Sequence, residues 1–440
     1  MAGVIGIRRE DKSKWERRVP IVPRDVHRLR SEHAVGVVVQ PSGHRAFGDE
    51  EFVLAGATIQ EDLSSCSAIF GIKEIPSYAL EPGLAYVFFA HVIKGQPYNM
   101  AMLQRILDLG CTLIDYEKIT DDQGRRLIFF GRQAGQAGMV DTLWALGQRL
   151  KWEGIANPFQ ALLPMPQYGG LAPATAALDV VGEWIRSAGV PSSLAPLVIG
   201  IAGYGNVSAG AQEILDRLPT IEIDPSDLAR LGDDPDVSRH HVYKVVFKEK
   251  HMVERLEQPE RFLLQEYYDQ PQRYRGVFAQ YLRHLTVLVN AIYWAPQYPR
   301  LVTKASLAGL FAADQVPKLR VIGDISCDVE GAIEATTRST DPGSPVYVYD
   351  PASGQTVDGY AGNGPVIMAV DILPSELPRE SSAEFSLALQ EFIPALAAAD
   401  FTAPFDDLSL PAPIKRAVIS HRGVLTPDYQ YLSQYLEKGI

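Results

Sequence analysis

Short apolar runs alternate with amphipathic stretches through the N-terminal part of the chain. VIGIRRE begins as a strand, PRDVHRLRSE has helical period, VGVVVQPS is a strand again, and SAIFGIKEI and AYVFFAHVI are two more. The helix NMAMLQRILDLG separates AYVFFAHVI from the strand CTLIDYEKI. Strands alternating with helices predict a mostly parallel sheet. From Gln133 to Lys151 the pattern becomes one long helix, with small residues early (AGQAG) and apolar residues later, read as the connector into a second domain. A further helix is predicted from about Ala172 to Ala188.

In PLVIGIAGYGNVSAGAQEIL, Leu197 to Ala202 is an apolar strand, Gly203, Tyr204 and Gly205 form a tight turn, and a helix runs from about Val207 to Leu218. A dinucleotide needs that order, because its pyrophosphate sits on exposed N–H groups at a helix N-terminus. Ser208 stands where a third glycine is expected and Gly210 follows, so the fingerprint is imperfect. The alternative is a glycine turn in some other α/β domain. A second short strand, TIEI, ends at Asp224, about 20 residues past the first glycine, where an acid accepts hydrogen bonds from the adenosine ribose. Asp227 to Pro259 is polar and yields no assignment. LTVLVNAIYW and LRVIGDISCD suit the far half of a doubly wound sheet, and GSPVYVYDPASGQT and GPVIMAVDIL are strand-like. SSAEFSLALQEFIPALAAA is an amphipathic helix, and the tail reads as helical.

The expected fold class is α/β with two domains and a cleft between them. A Rossmann doubly wound parallel sheet domain would span 136–329. A discontinuous α/β substrate domain would take 1–135 plus 330–440, the C-terminal segment folding back onto the first.

Composition narrows the class. The 440 residues, 46% hydrophobic, suffice for two or three packed cores. A net charge of −12 argues against nucleic acid or an anionic membrane as partner. No apolar run approaches a bilayer span, and MAGVIGIRRED turns charged too early for a secretory signal. Cys66, Cys111 and Cys327 are odd in number and far apart, which fits a reduced, cytoplasmic compartment.

Candidate chemistry sits at strand ends. Lys73 ends SAIFGIK and His91 ends YVFFAH. In a parallel sheet both ends face the edge where open α/β sheets place ligands. Burial and mutual repulsion suit such a pair to proton transfer near neutral pH; a surface lysine and a core histidine are the bland alternative. Arg18, in WERRVPIVP, suits a substrate carboxylate through paired hydrogen bonds, with Arg17 its immediate competitor. Arg239, His240 and His241 lack ligand spacing, so no metal is expected. Asp324 and Asp328 flank a strand end in GDISCD; an acid there would face the nicotinamide or a substrate amine, or else cap a helix.

These pieces together resemble the lysine–ketoglutarate reductase domain of bifunctional aminoadipic semialdehyde synthase, and more distantly saccharopine dehydrogenase and alanine dehydrogenase. The matching segments are RREDKSKWERRVPIVP, IQED, GIKEIP, FFAHVIKGQPYNM, LIDYEKI, FGRQAGQAGM, GYGNVSAGAQEIL, SRHH, NAIYW, PRLVT and GDISCDVEGAIE, in order over most of the chain. The resemblance implies reductive condensation of L-lysine with 2-oxoglutarate, by a nicotinamide cofactor, to saccharopine. It implies that Lys73 and His91 are the acid/base pair, that Arg18 holds a substrate carboxylate, and that Glu74, Glu117 and Asp324 line the substrate site. Gly203, Tyr204, Gly205, Asn206, Val207 and Asn290 would contact the cofactor, and Ser208 becomes a family trait.

Cofactor choice is where two expectations pull apart. Asp224 favours NAD(H), because a carboxylate repels a 2′-phosphate. The resemblance favours NADP(H), with Arg239 or another basic residue pairing with that phosphate. The bifunctional relatives continue into a second dehydrogenase domain, so a separate saccharopine-oxidising partner is expected; a homo-oligomer is left open. Alternatives are a related enzyme using another amine or ammonia, or a cofactor-binding protein without catalysis.

Overall fold

Val4–Ile7 opens the chain as strand β1, and the computed structural model describes residues 3–233, 237–312 and 317–436. The strands β2 (Gly36–Val39), β3 (Thr58–Ile59), β4 (Ala68–Phe70), β5 (Ala85–Phe88) and β6 (Thr112–Asp115) join it in one parallel sheet. Strands covered on both faces read as continuous apolar runs, and every residue of β4 and β5 is buried. Helices α1 (Pro23–His33), α2 (Asp49–Leu54) and α3 (Pro97–Asp108) lie on the connections. Two of them begin on proline, whose missing N–H costs nothing in a first turn.

Gly131–Trp152 forms α4, with buried residues on all sides from Gln133 to Leu150. A helix without a polar face belongs to a core. It is the first helix of the second unit rather than a connector. α5 (Leu171–Ala188), β7 (Val198–Ala202), α6 (Asn206–Leu215), β8 (Thr220–Glu222) and β9 (Val242–Phe247) follow. Next come an antiparallel pair, β10 (Val253–Arg255) and β11 (Tyr274–Gly276), and then β12 (Val287–Asn290) and β13 (Val321–Asp324). The strands β14 (Val346–Tyr349), β15 (Thr356–Asp358) and β16 (Val366–Met368) complete the second sheet, in the order β15-β14-β16-β13-β12-β7-β9-β8. All its pairings are parallel except those of β14.

The strand β9 lies inside the stretch that yielded no assignment from sequence. Lys244 interrupts its apolar run, and the sheet keeps that ammonium by pairing it with Asp216 at 2.9 Å and Glu222 at 3.1 Å. The helix α6 stops at Leu215, short of the expected Leu218.

The chain then returns to the first sheet. β17 (Val418–His421) pairs antiparallel with β6, and β18 (Val424–Leu425) pairs with β17, giving β18-β17-β6-β5-β4-β1-β2-β3. The tail therefore contains strands as well as helical turns. Two compact units result: residues up to Phe130 with those from Pro378 on, and Gly131–Leu377. Residues 330–377, expected in the discontinuous unit, belong to the second. There β14, β15 and β16 extend its sheet, and Leu373 and Leu377 pack into its core. Within the first unit, helix Pro378–Leu389 is bonded to the loop before α1. Ser382 Oγ accepts the Val19 N–H at 2.9 Å, and Ser386 Oγ accepts that of Val22 at 3.1 Å.

One buried pair of acids in the second unit predicts a pH response. Asp141 on α4 and Glu376 are 0% and 4% exposed and act on each other, and neither Glu376 carboxyl oxygen has a hydrogen-bond partner among the described residues, so the acid is satisfied only by holding a proton between the two carboxyls. Burial, then the Asp141 charge, push Glu376 well above the usual carboxylate range. The folded chain thus keeps a proton that the unfolded chain releases above a pKa of about 4.3, and stability falls as pH rises from there. Glu376→Gln puts a permanent donor in place of that proton. Thermal unfolding is expected to match wild type at pH 5, and at pH 8 to show the variant more stable by about 1–3 kcal/mol. Parallel decline of the two proteins would count against the shared proton.

Among the described residues no helix is long and apolar enough to cross a membrane, and no cluster of three or more His, Cys, Asp or Glu could hold a metal ion.

Candidate active site

Lys73 and His91 each follow by three residues the ends of β4 and β5, which are paired neighbours in the first sheet. Both leave the carboxyl edge of that sheet. Glu74 links the two positions: its Oε1 accepts from His91 Nδ1 at 2.8 Å and its Oε2 from Lys12 Nζ at 2.6 Å. Burial would raise this carboxyl, but the hydrogen bonds from His91 and Lys12 outweigh it and hold it well below the usual range. A carboxylate only accepts, so Nδ1 carries the hydrogen and Nε2 is the nitrogen free to exchange a proton. His91 has φ 49°, left-handed backbone that costs a non-glycine residue about 1–3 kcal/mol. Asn99 Nδ2 braces that turn, donating to the Ala90 carbonyl at 3.0 Å and the His91 carbonyl at 3.3 Å.

Lys73 is pulled below the ordinary lysine range by burial and then by the Arg18 charge, with Glu16 and Glu74 acting against the shift. The partner expected to set its proton affinity was His91; the groups that do so are arginine and carboxylates. Its backbone is held as well, the N–H groups of Ile72 and Lys73 donating to Glu10 at 2.7 and 3.1 Å.

Arg18 is 3% exposed, and its Nε and Nη2 donate to Glu16 at 2.8 and 2.5 Å. The guanidinium lies over Phe130 at 4.3 Å, and that ring stacks on Phe385 of the C-terminal segment at 4.7 Å. Nη1 is the guanidinium nitrogen that Glu16 leaves unengaged. The competitor Arg17 is turned elsewhere, donating to the His44 carbonyl at 3.1 Å. Glu117 is tied to Arg126 at 2.7 Å. Glu10, Lys12 and Glu16 were not singled out from sequence. No periodic signal marks them, because a turn closed by the Glu16 N–H on the Ser13 carbonyl at 3.0 Å interrupts the segment that carries them.

The second unit holds the glycine turn. Gly203 has φ 103°, and a Cβ there would lie 2.8 Å from the Ala291 carbonyl oxygen. Gly205 caps α6 and has open space where its Cβ would be. Tyr204 and Asn206 are exposed and Val207 is half-buried, so the first-turn N–H groups of α6 face accessible space. Ser208 is fully buried and accepts from Gln212 at 3.0 Å. The close-packing role of a third glycine falls to Gly210, whose Cβ would lie 2.0 Å from the Arg132 carbonyl oxygen. Gly135 of α4 returns the contact, its Cβ 1.9 Å from the Val207 carbonyl oxygen. That crossing is the use of the small residues in AGQAG. A cavity of about 410 Å³ opens beside the turn, lined among others by Tyr204, Glu249, Tyr268, Tyr293 and Arg300. A glycine whose Cβ has no room, an open helix N-terminus and an adjoining aromatic cavity fit a dinucleotide.

Two expected cofactor residues are corrected by strand order. Asp224 follows β8, and β8 is the edge strand, separated from β7 by β9 and so roughly 10 Å away. Its carboxylate accepts from the backbone and hydroxyl of Ser226 at 2.9 and 2.7 Å, capping its own turn. On the β8 side the strand beside β7 is β9, followed by Lys248 and Glu249. Lys248 Nζ lies 5.8 Å from the Tyr204 ring, and Glu249 Oε1 accepts from Tyr204 at 3.4 Å and Tyr268 at 2.7 Å. Arg239 precedes β9, at the opposite edge of the sheet and roughly 20 Å from its carboxyl end. Its Nε donates to the Val190 carbonyl at 2.8 Å. Asn290 ends β12 and is 1% exposed, with Nδ2 donating to Asp324 at 2.8 Å. Asp324 is thus a brace within the second unit. It accepts also from Thr336 at 2.5 Å, as a buried carboxylate must fill its lone pairs, and burial pushes it up to about 6.

The family described as alanine dehydrogenase/PNT, N-terminal domain, matches residues 6–137. The chain is 39% identical over 446 residues to alpha-aminoadipic semialdehyde synthase of Arabidopsis thaliana, covering 98% of this chain and 41% of that protein. It thus spans less than half the length of this relative. It is 28% identical over 394 residues to saccharopine dehydrogenase [NAD(+), L-lysine-forming] of Yarrowia lipolytica, covering 87% of this chain and 89% of the other. A solved structure of L-alanine dehydrogenase superposes with a TM-score of 0.61 at 16% identity, over 98% of this chain and 99% of the other, and shares its fold.

Proposed function

The chain belongs to the superfamily of saccharopine and alanine dehydrogenases, and from that membership we propose that it is a lysine–2-oxoglutarate reductase, forming saccharopine reversibly. The observation that carries the reading is the convergence of Lys73, His91 and Glu74 on one sheet edge, with Arg18 in the same unit. Condensation requires a group that takes a proton from the substrate ammonium and later returns one to the carbinolamine hydroxyl so that water leaves. Lys73, depressed by burial and Arg18, holds its proton loosely enough for that exchange. Glu74 fixes the His91 tautomer, leaving Nε2 to pass protons. Arg18, braced by Glu16 and Phe130, offers Nη1 to a substrate carboxylate and so orients the ketone carbon. Bound at the glycine turn, a nicotinamide dinucleotide would supply hydride to the imine carbon.

NADPH is the proposed form. Lys248, at the end of the strand beside β7, takes the role expected of Arg239 toward the 2′-phosphate. The neighbouring Glu249 is engaged by two tyrosine hydroxyls. The test is oxidation of NADPH, and of NADH, with 2-oxoglutarate and a panel of amines. Lysine is expected to give the highest kcat/KM and NADPH to be preferred; faster turnover with ammonia would replace the reading with an alanine-dehydrogenase-like one.

A further inference from the structure

Glu10 takes no part in the reaction as written, yet it is the group that holds the Lys73 backbone. One carboxylate oxygen accepts the N–H of Ile72 at 2.7 Å and the other that of Lys73 at 3.1 Å. These two residues form the turn by which the chain leaves β4, and the Lys73 side chain departs from its second member. The neighbouring ladder bonds, Gly71 N–H to the Val87 carbonyl and Phe89 N–H to that of Ile72, end there. Beyond them no strand partner holds the lysine backbone N–H. A Cβ on Gly71 would lie 3.3 Å from Glu10 Oε1, so the carboxylate fits directly against the turn.

We propose that Glu10 is a positioning residue for Lys73, its carboxylate clamping two consecutive backbone N–H groups so that the lysine side chain leaves the turn in one place and stays half-buried. The proposal rests on the reading of Lys73 as the proton-transfer group. A clamp of this kind needs the carboxylate form, since an un-ionised carboxyl turns one acceptor oxygen into a donor. The groups acting on Glu10 are Glu16 and Arg8 from its own segment and the two N–H groups of the β4 turn, and Glu10 in turn acts on Tyr116 at the end of β6. Burial, then the Glu16 charge, push the Glu10 carboxyl up to about 7. The clamp therefore loosens as pH falls through neutrality, and part of the acid limb of activity belongs to Glu10.

The test compares Glu10→Gln and Glu10→Ala with Lys73→Met. Three measurements are made: turnover, NADPH affinity by fluorescence titration, and the pH dependence of Lys73 acylation read by peptide mass spectrometry. Glu10→Ala is expected to lower kcat by about 10–100-fold, the scale of an ångström-sized misplacement, with NADPH affinity unchanged. Its Lys73 labelling midpoint is expected to move up by about 1 pH unit as the amine gains solvent. Glu10→Gln, which keeps one acceptor, should fall between, and its acid limb should flatten. Wild-type kcat and labelling in folded Glu10→Ala, with Lys73→Met inactive, would overturn the proposal while sparing the Lys73 reading. Lower stability with an unchanged labelling profile would also overturn it, assigning Glu10 to the fold alone. Full turnover in Lys73→Met would sink the catalytic reading itself, and the labelling shift would still report whether Glu10 holds the lysine.

Discussion

Lys73→Met is expected to lower turnover by about 10²–10⁴-fold, the range that a positioned proton-transfer group contributes, with little change in cofactor affinity or stability. Methionine keeps the length and apolar stem of the side chain and removes the amine with its exchangeable proton and charge. The Arg18–Glu16 pair is bonded independently of Lys73, so no buried charge is stranded by the change. Removing Arg18 would be a poorer experiment, because Glu16 would lose its bidentate partner at 2% exposure and the fold would suffer with the chemistry. His91→Gln should be slower than wild type too. Steady-state kinetics of both, with NADPH titrated in parallel, check the assignment. Wild-type rates in both variants would leave Lys73 and His91 as structural residues of the sheet edge, with no part in proton transfer.

Gly210→Ala and Gly205→Ala are expected to fail in opposite ways. At Gly210 the new methyl would stand 2.0 Å from a backbone oxygen of α4, so the helices must separate. Overpacking of this kind costs about 1–3 kcal/mol, occasionally more. At Gly205 the added methyl meets nothing within 4 Å. The fold should not register it, but the space it takes is where a pyrophosphate would approach the N–H groups of α6. An increase in cofactor Kd of about 10-fold, near 1.4 kcal/mol, with an unchanged Tm is the expected result. Thermal unfolding and cofactor titration of the two variants separate the roles. The reverse pattern would move the dinucleotide away from this turn.

Ser208 shows why a motif is legible and its geometry is not. By spacing alone, the third position of the fingerprint is defective. In the fold the serine is simply buried, and the close approach between helices occurs two residues later at Gly210, opposite Gly135. AGQAG was visible as a run of small residues, but its partner lies far along the chain. Asp224 makes the same point more sharply. Its spacing from Gly203 satisfies the ribose rule, and spacing says nothing about which strand lies next to β7. Here the neighbour on the β8 side is β9, in a stretch whose charged Lys244 hid it, so the residues that follow the strand next to the turn are Lys248 and Glu249. The tail has helical character by sequence, and nothing in it marks the strand β17, since a short edge-side strand of four residues carries little periodicity.

By itself, the sequence determined the elements whose signal is local. These are the buried parallel strands, the glycine turn with the helix after it, and the strand-end positions of Lys73 and His91. Apolar period and turn chemistry act over a few residues and survive without their partners. The tertiary structure alone decided strand order, the seam at Leu377 rather than near 330, the place of Asp324 as a brace, the carboxylates of Glu10 and Glu16 around the lysine, and the pairing of Glu74 with His91 and Lys12. Each of those depends on which distant segments come to lie side by side. A parallel sheet draws neighbouring strands from far along the chain, so the same spacing can put an acid beside a cofactor turn or two strands away from it.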